Sequence, residues 1–406
     1  MFLRSSADDR VALLAGCGPV AQVSMGGGAV AEALEEISPE EARDILAGIH
    51  FKNQEETLAW LNGDVIGGEG GLAVVAGVGL FSALGGGLFG LDIGYISGVE
   101  SMGSFCQDVL DNKPMNSVTT GLLTGIFALG AVCAAFPSVI SFVVDRIGRK
   151  GCIVFGGCVF CMGALTQGVA PNFAVMCIGR FIAGASVGLL SANVPIYQGE
   201  IAPPEYRGAI IALYQLAVTL GIMVAFWVNY ALESTPHGWR YAILVQLIPG
   251  LLLAGGGVLM PRSPRWLISK GRYDEALKTL LRIRSPESDV RIEFAAIYKE
   301  YRREMSFGKP SYKEFFSGSN GKVLAIGVTL QMIQQLCGLN LFMYYGPTVF
   351  GMVFHSSKAA FLFAAVSGIV NFLSTFPALI LVDKMGRTKL LMYSATGMAI
   401  SCVVLA

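Results

Sequence analysis

Nine apolar blocks of about 20 residues dominate this chain of 406 residues. They run over about 73–98, 118–142, 151–170, 172–196, 209–231, 241–260, 323–350, 359–382 and 389–406. A block of that length crosses a bilayer as a helix. In lipid the backbone must satisfy its own hydrogen bonds, which favours helices. Composition agrees, with 53% hydrophobic and 14% charged residues, against roughly 25% charged in a soluble domain. The expected fold class is an all-α polytopic membrane protein.

Two charges interrupt the blocks. Asp92 is the only charge between Gly71 and Val99, and Arg180 the only one between Pro171 and Gly199. A lone charge in a span is costly and marks a substrate or ion path. Counted from the outer ends of spans 1 and 4, at about 1.5 Å rise per residue, both fall at one depth, so they are expected to pair. Low dielectric disfavours the carboxylate and a neighbouring guanidinium favours it. A contact made and broken in a cycle would therefore bind and release a proton. The alternative role is a permanent salt bridge that fixes helix packing.

Positive charge sets the expected orientation. Arg146, Arg149 and Lys150 follow span 2, and 262–322 holds fourteen Lys or Arg against eight Asp or Glu. The opposite loops hold only Lys113, Arg240 and Lys358. The basic loops and the N-terminus are thus expected on the cytoplasmic side. Residues 1–70 form an acidic tail with twelve Asp or Glu and four Lys or Arg. Ser38-Pro39-Glu40-Glu41 in it reads as the start of a short helix near 39–49; the rest reads as disordered. Tyr273, Ala276, Leu277, Leu280 and Leu281 recur at helical spacing, which places amphipathic helices in a cytoplasmic insertion, 261–322.

Val144-Asp145-Arg146-Ile147-Gly148-Arg149 follows span 2, and Val382-Asp383-Lys384-Met385-Gly386-Arg387 follows span 8. A motif that recurs six spans later implies two parallel six-span halves, a transporter arrangement. The halves are then 71–260 and an incomplete 323–406. The chain stops inside an apolar run, so it reads as truncated after about nine spans, with a genuine nine-span protein as the alternative.

The three histidines are scattered, and most of the nine cysteines lie within spans, where small buried apolar residues are the ordinary reading, so no metal site or cofactor is expected. Cys106 is the one candidate for a disulfide. No nucleophile–base set or phosphate loop points to an enzyme, and the zero net charge says nothing in favour of nucleic acid.

Several motifs together resemble the sugar porter family of the major facilitator superfamily over about 71–406. They are Gly87-Leu88-Phe89-Gly90-Leu91-Asp92-Ile93-Gly94, Gly179-Arg180-Phe181 with Gly184 and Gly188, and Pro195-Ile196-Tyr197-Gln198-Gly199-Glu200 through Arg207-Gly208. Gln334-Gln335-Leu336-Cys337-Gly338-Leu339-Asn340 followed by Tyr344-Tyr345-Gly346-Pro347 completes the set. The resemblance implies a twelve-helix alternating-access carrier of a hexose or related monosaccharide, expected to act as a monomer; with no clear targeting peptide in the sequence, the plasma membrane is the expected location. An aspartate at the Asp92 position marks the family's proton symporters, so Asp92 and Arg180 are implied as the coupling pair.

Amide side chains both donate and accept, which suits sugar hydroxyls. By resemblance, Gln215, Gln334, Gln335, Asn340 and Asn371 are the implied sugar ligands and Phe89 the aromatic contact. Interhelical hydrogen bonding is the competing role for each amide. Tyr344, Tyr345 and Pro347 are the implied outer gate, next to a helix that Gly338 loosens. Gly86 and Gly90, and Gly184 and Gly188, have the GxxxG spacing of close helix packing. Asp145, Arg149, Glu200, Arg207, Arg265, Asp383 and Arg387 occupy the positions of an ion-pair network that locks the halves. One departure stands in Pro261-Arg262-Ser263-Pro264-Arg265, where Arg262 replaces a residue that is commonly Glu. The competing functions are a facilitative uniporter, a sugar-sensing receptor and a non-transporting truncated product.

Overall fold

The computed structural model describes residues 67–110, 115–306, 316, 318–354 and 356–405. The helix expected near 39–49 and the acidic tail up to residue 66 lie outside them, as do the side chains of Asp383 and Arg387.

The helices, in chain order, are α1 (Leu72–Ser101), α2 (Gly103–Val109), α3 (Ser117–Ala135), α4 (Pro137–Gly168) and α5 (Phe173–Ile201). Then come α6 (Arg207–Leu232), α7 (Gly238–Leu244), α8 (Leu247–Gly257), α9 (Pro264–Ser269), α10 (Tyr273–Ile283) and α11 (Val290–Ser306). The last four are α12 (Gly318–Leu336), α13 (Leu339–Phe354), α14 (Ser357–Met385) and α15 (Arg387–Leu405). Among the described residues 7 helices are long and apolar enough to cross a membrane, fewer than the nine blocks. The 323–350 block accounts for part of the difference. Gly338, with φ 73°, divides it into α12 and α13.

Local chemistry sets the ends. Asn116 accepts from the Val118 and Thr119 amides at 3.0 and 2.9 Å while Thr119 accepts from the Asn116 amide at 3.1 Å, a reciprocal cap on α3. Asn172 caps α5 through the Val175 amide at 3.0 Å. The glycines of the two V-D-[RK]-x-G-R repeats both take positive φ, 77° at Gly148 and 80° at Gly386. The repeated sequence therefore encodes a repeated backbone turn, which side chains with a Cβ disfavour.

Glycine seams bring the helices together. A Cβ on Gly90 would lie 1.9 Å from the Val218 carbonyl of α6. Cβ atoms on Gly184 and Gly188 would lie 2.1 and 2.2 Å from the Phe127 and Ala131 carbonyls of α3. Such backbone contact is how packing holds helices in lipid, where no hydrophobic force acts between them. Large apolar side chains such as Leu80, Val132 and Phe142 remain exposed on the outside of the bundle.

Helices α9 to α11 sit under one end. Ala276, Leu277, Leu280 and Ile283 of α10 are buried in one cluster with Tyr197, Ile201 and Phe294. Each fully buried side chain of Leu or Ile size contributes about 1.5–3 kcal/mol. A glycine strap ahead of α1 closes on the same helices. The Gly68, Glu69 and Gly70 amides donate to the carbonyls of Ser285, Leu281 and Arg284 at 3.0, 2.6 and 2.8 Å.

Candidate functional site: a buried ion pair in the bundle

Helix α1 carries Asp92 and α5 carries Arg180 into the interior, and both side chains have 0% exposure. Arg180 Nη1 donates to Asp92 Oδ2 at 2.6 Å and to the Tyr95 hydroxyl at 3.0 Å. Arg180 Nε donates to the Leu123 carbonyl at 3.2 Å. The guanidinium carbon lies 4.4 Å from the centre of the Phe127 ring, within cation–π range. Tyr95 in turn donates to Gln167 Oε1, and Gln167 Nε2 donates to the Gly163 and Gly179 carbonyls at 3.3 Å each.

The sequence reading found the pair but missed Tyr95, Gln167, Phe127 and the Leu123 carbonyl. Tyr95 had one available signal, its place one turn after Asp92 on the same helix face. The cluster is incompletely satisfied, because Asp92 Oδ1 and Arg180 Nη2 are buried without a hydrogen-bond partner. Each is an open position for another polar group.

The segment expected to form the outer gate reaches this cluster. Tyr344 of α13 packs against the apolar group that contains Tyr95 and Leu91. Pro347 is buried and Tyr345 half-buried. Ser101 of α1 and Thr348 of α13 bring their hydroxyls within 3.3 Å.

The amides are less gathered. Asn340 Nδ2 donates to Gln335 Oε1 at 2.7 Å, while Gln334 and Gln335 are exposed on α12. Gln215 is exposed on α6 and Asn371 half-buried on α14. Helices α6 and α14 meet with Thr219 beside Thr375, 3.2 Å apart, and with Phe226 beside Gly368, so they run antiparallel. Gln215 and Asn371 therefore lie on opposite sides of the threonine contact, at heights about 12 Å apart. Phe89, like Tyr214, is half-buried against two apolar groups. No hydrogen bond among the described residues joins Gln215 or Asn371 to Gln334, Gln335 or Asn340.

Of the network positions, Arg149 and Glu200 pair, with Nε and Nη2 each 3.1 Å from Oε1. Ser263 donates to the other Glu200 oxygen, and Asn193 holds the Arg149 carbonyl at 2.8 Å. Arg265 instead pairs with Glu304 and Glu300 of α11, two acids the sequence reading did not single out although they sit on one helix face. Asp145 is exposed and accepts from Ser141 at 3.2 Å. Arg207 is exposed at the start of α6. Cys106 is a free thiol in α2, so the disulfide considered for it is absent.

At the opposite end of the bundle from α9–α11, Asp108 Oδ2 accepts from the Trp239 indole at 2.9 Å and faces His237 Nδ1 at 2.6 Å. Burial pushes this carboxyl up, but these bonds and the Arg240 charge outweigh burial and hold it below the usual carboxylate value.

The family model described as sugar (and other) transporter matches residues 78–406. The glucose transporter GlcP of Staphylococcus epidermidis is 33% identical over 80% of this chain and 70% of its own length. The galactose-proton symporter of Escherichia coli is 34% identical over 75% of this chain and 64% of its own. The proton:xylose symporter XylE of E. coli, solved with 6-bromo-6-deoxy-D-glucose, superposes with a TM-score of 0.69 at 26% identity, over 78% of this chain and 71% of that one. The chain spans 60% to 70% of the length of such curated relatives. By family model, sequence identity and superposition alike, the chain belongs to the sugar porter family of the major facilitator superfamily.

Proposed function

We propose that the protein moves a hexose or related monosaccharide across a membrane by alternating access, in symport with a proton. The observation that carries this reading is the Asp92–Arg180 pair, wholly buried and 2.6 Å apart, in a chain similar to a galactose-proton symporter and to XylE. Protonation of Asp92 weakens its hold on Arg180, and reformation of the contact expels the proton. Tyr95 and the Leu123 carbonyl keep Arg180 positioned while Asp92 lets go. Gln215, Gln334, Gln335, Asn340 and Asn371 supply sugar hydrogen bonds, with Phe89 covering the apolar face of the ring. Their separation, described above, means that alternating access must gather them around the sugar. Tyr344, Tyr345 and Pro347 bend over the outer side.

Arg149 with Glu200, and Asp145, Arg207, Arg265, Asp383 and Arg387, lock the opposite end when the carrier faces outward. The basic charge of the insertion 261–322 supports a cytoplasmic position for that end and for the acidic tail 1–70, with 71–260 as the N-terminal half and 323–406 as part of the second. The carrier acts as a monomer in the plasma membrane.

The test is sugar addition to cells or proteoliposomes in unbuffered medium. Symport alkalinises the medium as sugar enters, and Asp92→Asn abolishes uphill accumulation while preserving sugar exchange. Accumulation at the wild-type level in Asp92→Asn refutes the coupling role.

A further inference from the structure

A second polar site lies at the α9–α11 end of the bundle, away from the Asp92 cluster. A cavity of about 510 Å³ opens between the bend of α4 at Gly148 and the α8–α9 connection. Its walls carry Arg149, Lys150, Arg262 and Trp266, with Phe155 and Val258 at the rim. Arg149 is engaged by Glu200. Lys150 and Arg262 form no ion pair among the described residues, and the charges of Arg262 and Arg282 both act on Lys150. Like charges held together in this way favour an anion between them.

Trp266 supplies an independent observation. Its ring is 7% exposed, and its indole Nε1 is buried with no acceptor. An unmet buried donor costs about 1–3 kcal/mol, and a ligand entering the cavity would meet it by displacing the side chains that now cover the nitrogen. Arg262 lies over the same ring, its guanidinium carbon 5.8 Å from the centroid. The rim differs in character. Phe155 and Val258 are 51% and 59% exposed, among the apolar side chains that surround the bundle.

We infer that this cavity binds the phosphate of an anionic phospholipid from the leaflet on the α9–α11 side. The phosphodiester charge sits between Lys150 and Arg262, one of its oxygens accepts the Trp266 N–H, and the acyl chains run past Phe155 and Val258. Arg262 stands where an acid is common in the family, so the site depends on this chain's own substitution. The inference is independent of whether the chain carries sugar.

The experiment is native mass spectrometry of the full chain, delipidated in detergent and offered phosphatidylglycerol or phosphatidylcholine with matched acyl chains. The wild type retains phosphatidylglycerol preferentially. Arg262→Glu reverses a charge and lowers that retention by about tenfold or more. Trp266→Phe removes only the N–H, so it lowers retention several-fold yet raises the melting temperature of the lipid-free protein. This variant keeps the inference testable if Arg262→Glu does not fold. Lys358→Gln, at the other end of α14, leaves retention unchanged. Equal retention of both lipids, or unchanged retention in Arg262→Glu and Trp266→Phe, overturns the site. If inorganic phosphate alone stabilises the protein and displaces the lipid headgroup, the ligand is a soluble anion and the lipid assignment is overturned.

Discussion

Asp92→Asn removes one charge from a pair that has no access to water, with both side chains at 0% exposure. Breaking a buried pair from one side costs about 3–5 kcal/mol because the other charge remains uncompensated. Asparagine keeps an oxygen where Asp92 Oδ2 stood, so it retains a neutral acceptor for Arg180 Nη1, and a hydrogen bond of this kind contributes about 1 kcal/mol. The Tyr95 and Leu123 acceptors, at 3.0 and 3.2 Å, stay in place. The net loss is therefore about 2–4 kcal/mol. Arg180→Met in the same background removes the stranded cation and fills much of its volume with apolar atoms. The double variant Asp92→Asn/Arg180→Met then recovers most of the loss, because an apolar replacement of both partners is often neutral or better. The assay is a double-mutant cycle on reversible unfolding in mixed micelles. A coupling energy of about 2 kcal/mol or more is expected. Single effects that add to within about 0.5 kcal/mol, the usual behaviour of independent sites, refute the premise that the two charges sustain each other in the interior.

Gly90→Ala forces a Cβ to 1.9 Å from the Val218 carbonyl; parting α1 from α6 costs about 1–3 kcal/mol, seen as a lower melting temperature, whereas Gly103→Ala, with open space around its Cβ, leaves it nearly unchanged. Asp108 is held below the usual carboxylate value, so its contribution is present at neutral pH and lost as pH falls through the folded value. Acidification below about pH 5 therefore lowers the melting temperature of the wild type more than that of Asp108→Asn, and equal losses contradict the assignment.

The parts of this molecule that were legible in the sequence are those where one residue is chemically out of place. Asp92 and Arg180 stand out because everything near them in the chain is apolar, and depth counting alone put them at one level. Tyr95 and Gln167 did not stand out, since neutral polar residues are ordinary in spans and only the tertiary contact gives them a role. The amides show the limit from the other side. Gln335 and Asn340 touch across the break at Gly338 because they are neighbours in sequence. The relation of that pair to Gln215 and Asn371 depends on how α12 and α13 pose against α6 and α14, which hydrophobic periodicity does not encode. Arg265 illustrates the same point, as its partners Glu300 and Glu304 lie on a helix reached only through the packing of α9 on α11.

The glycine strap makes the first span and the helical insertion one mechanical unit. A Cβ on Gly68 would lie 2.1 Å from the Arg284 carbonyl and one on Gly70 2.2 Å from that of Arg282, so the clamp closes only on bare backbone. When α1 tilts, the pull reaches α10 and α11 along main chain held by three hydrogen bonds, without the slack of side-chain rotamers. A tug on the acidic tail meets the same clamp before it meets the membrane, like a rope made fast at a cleat.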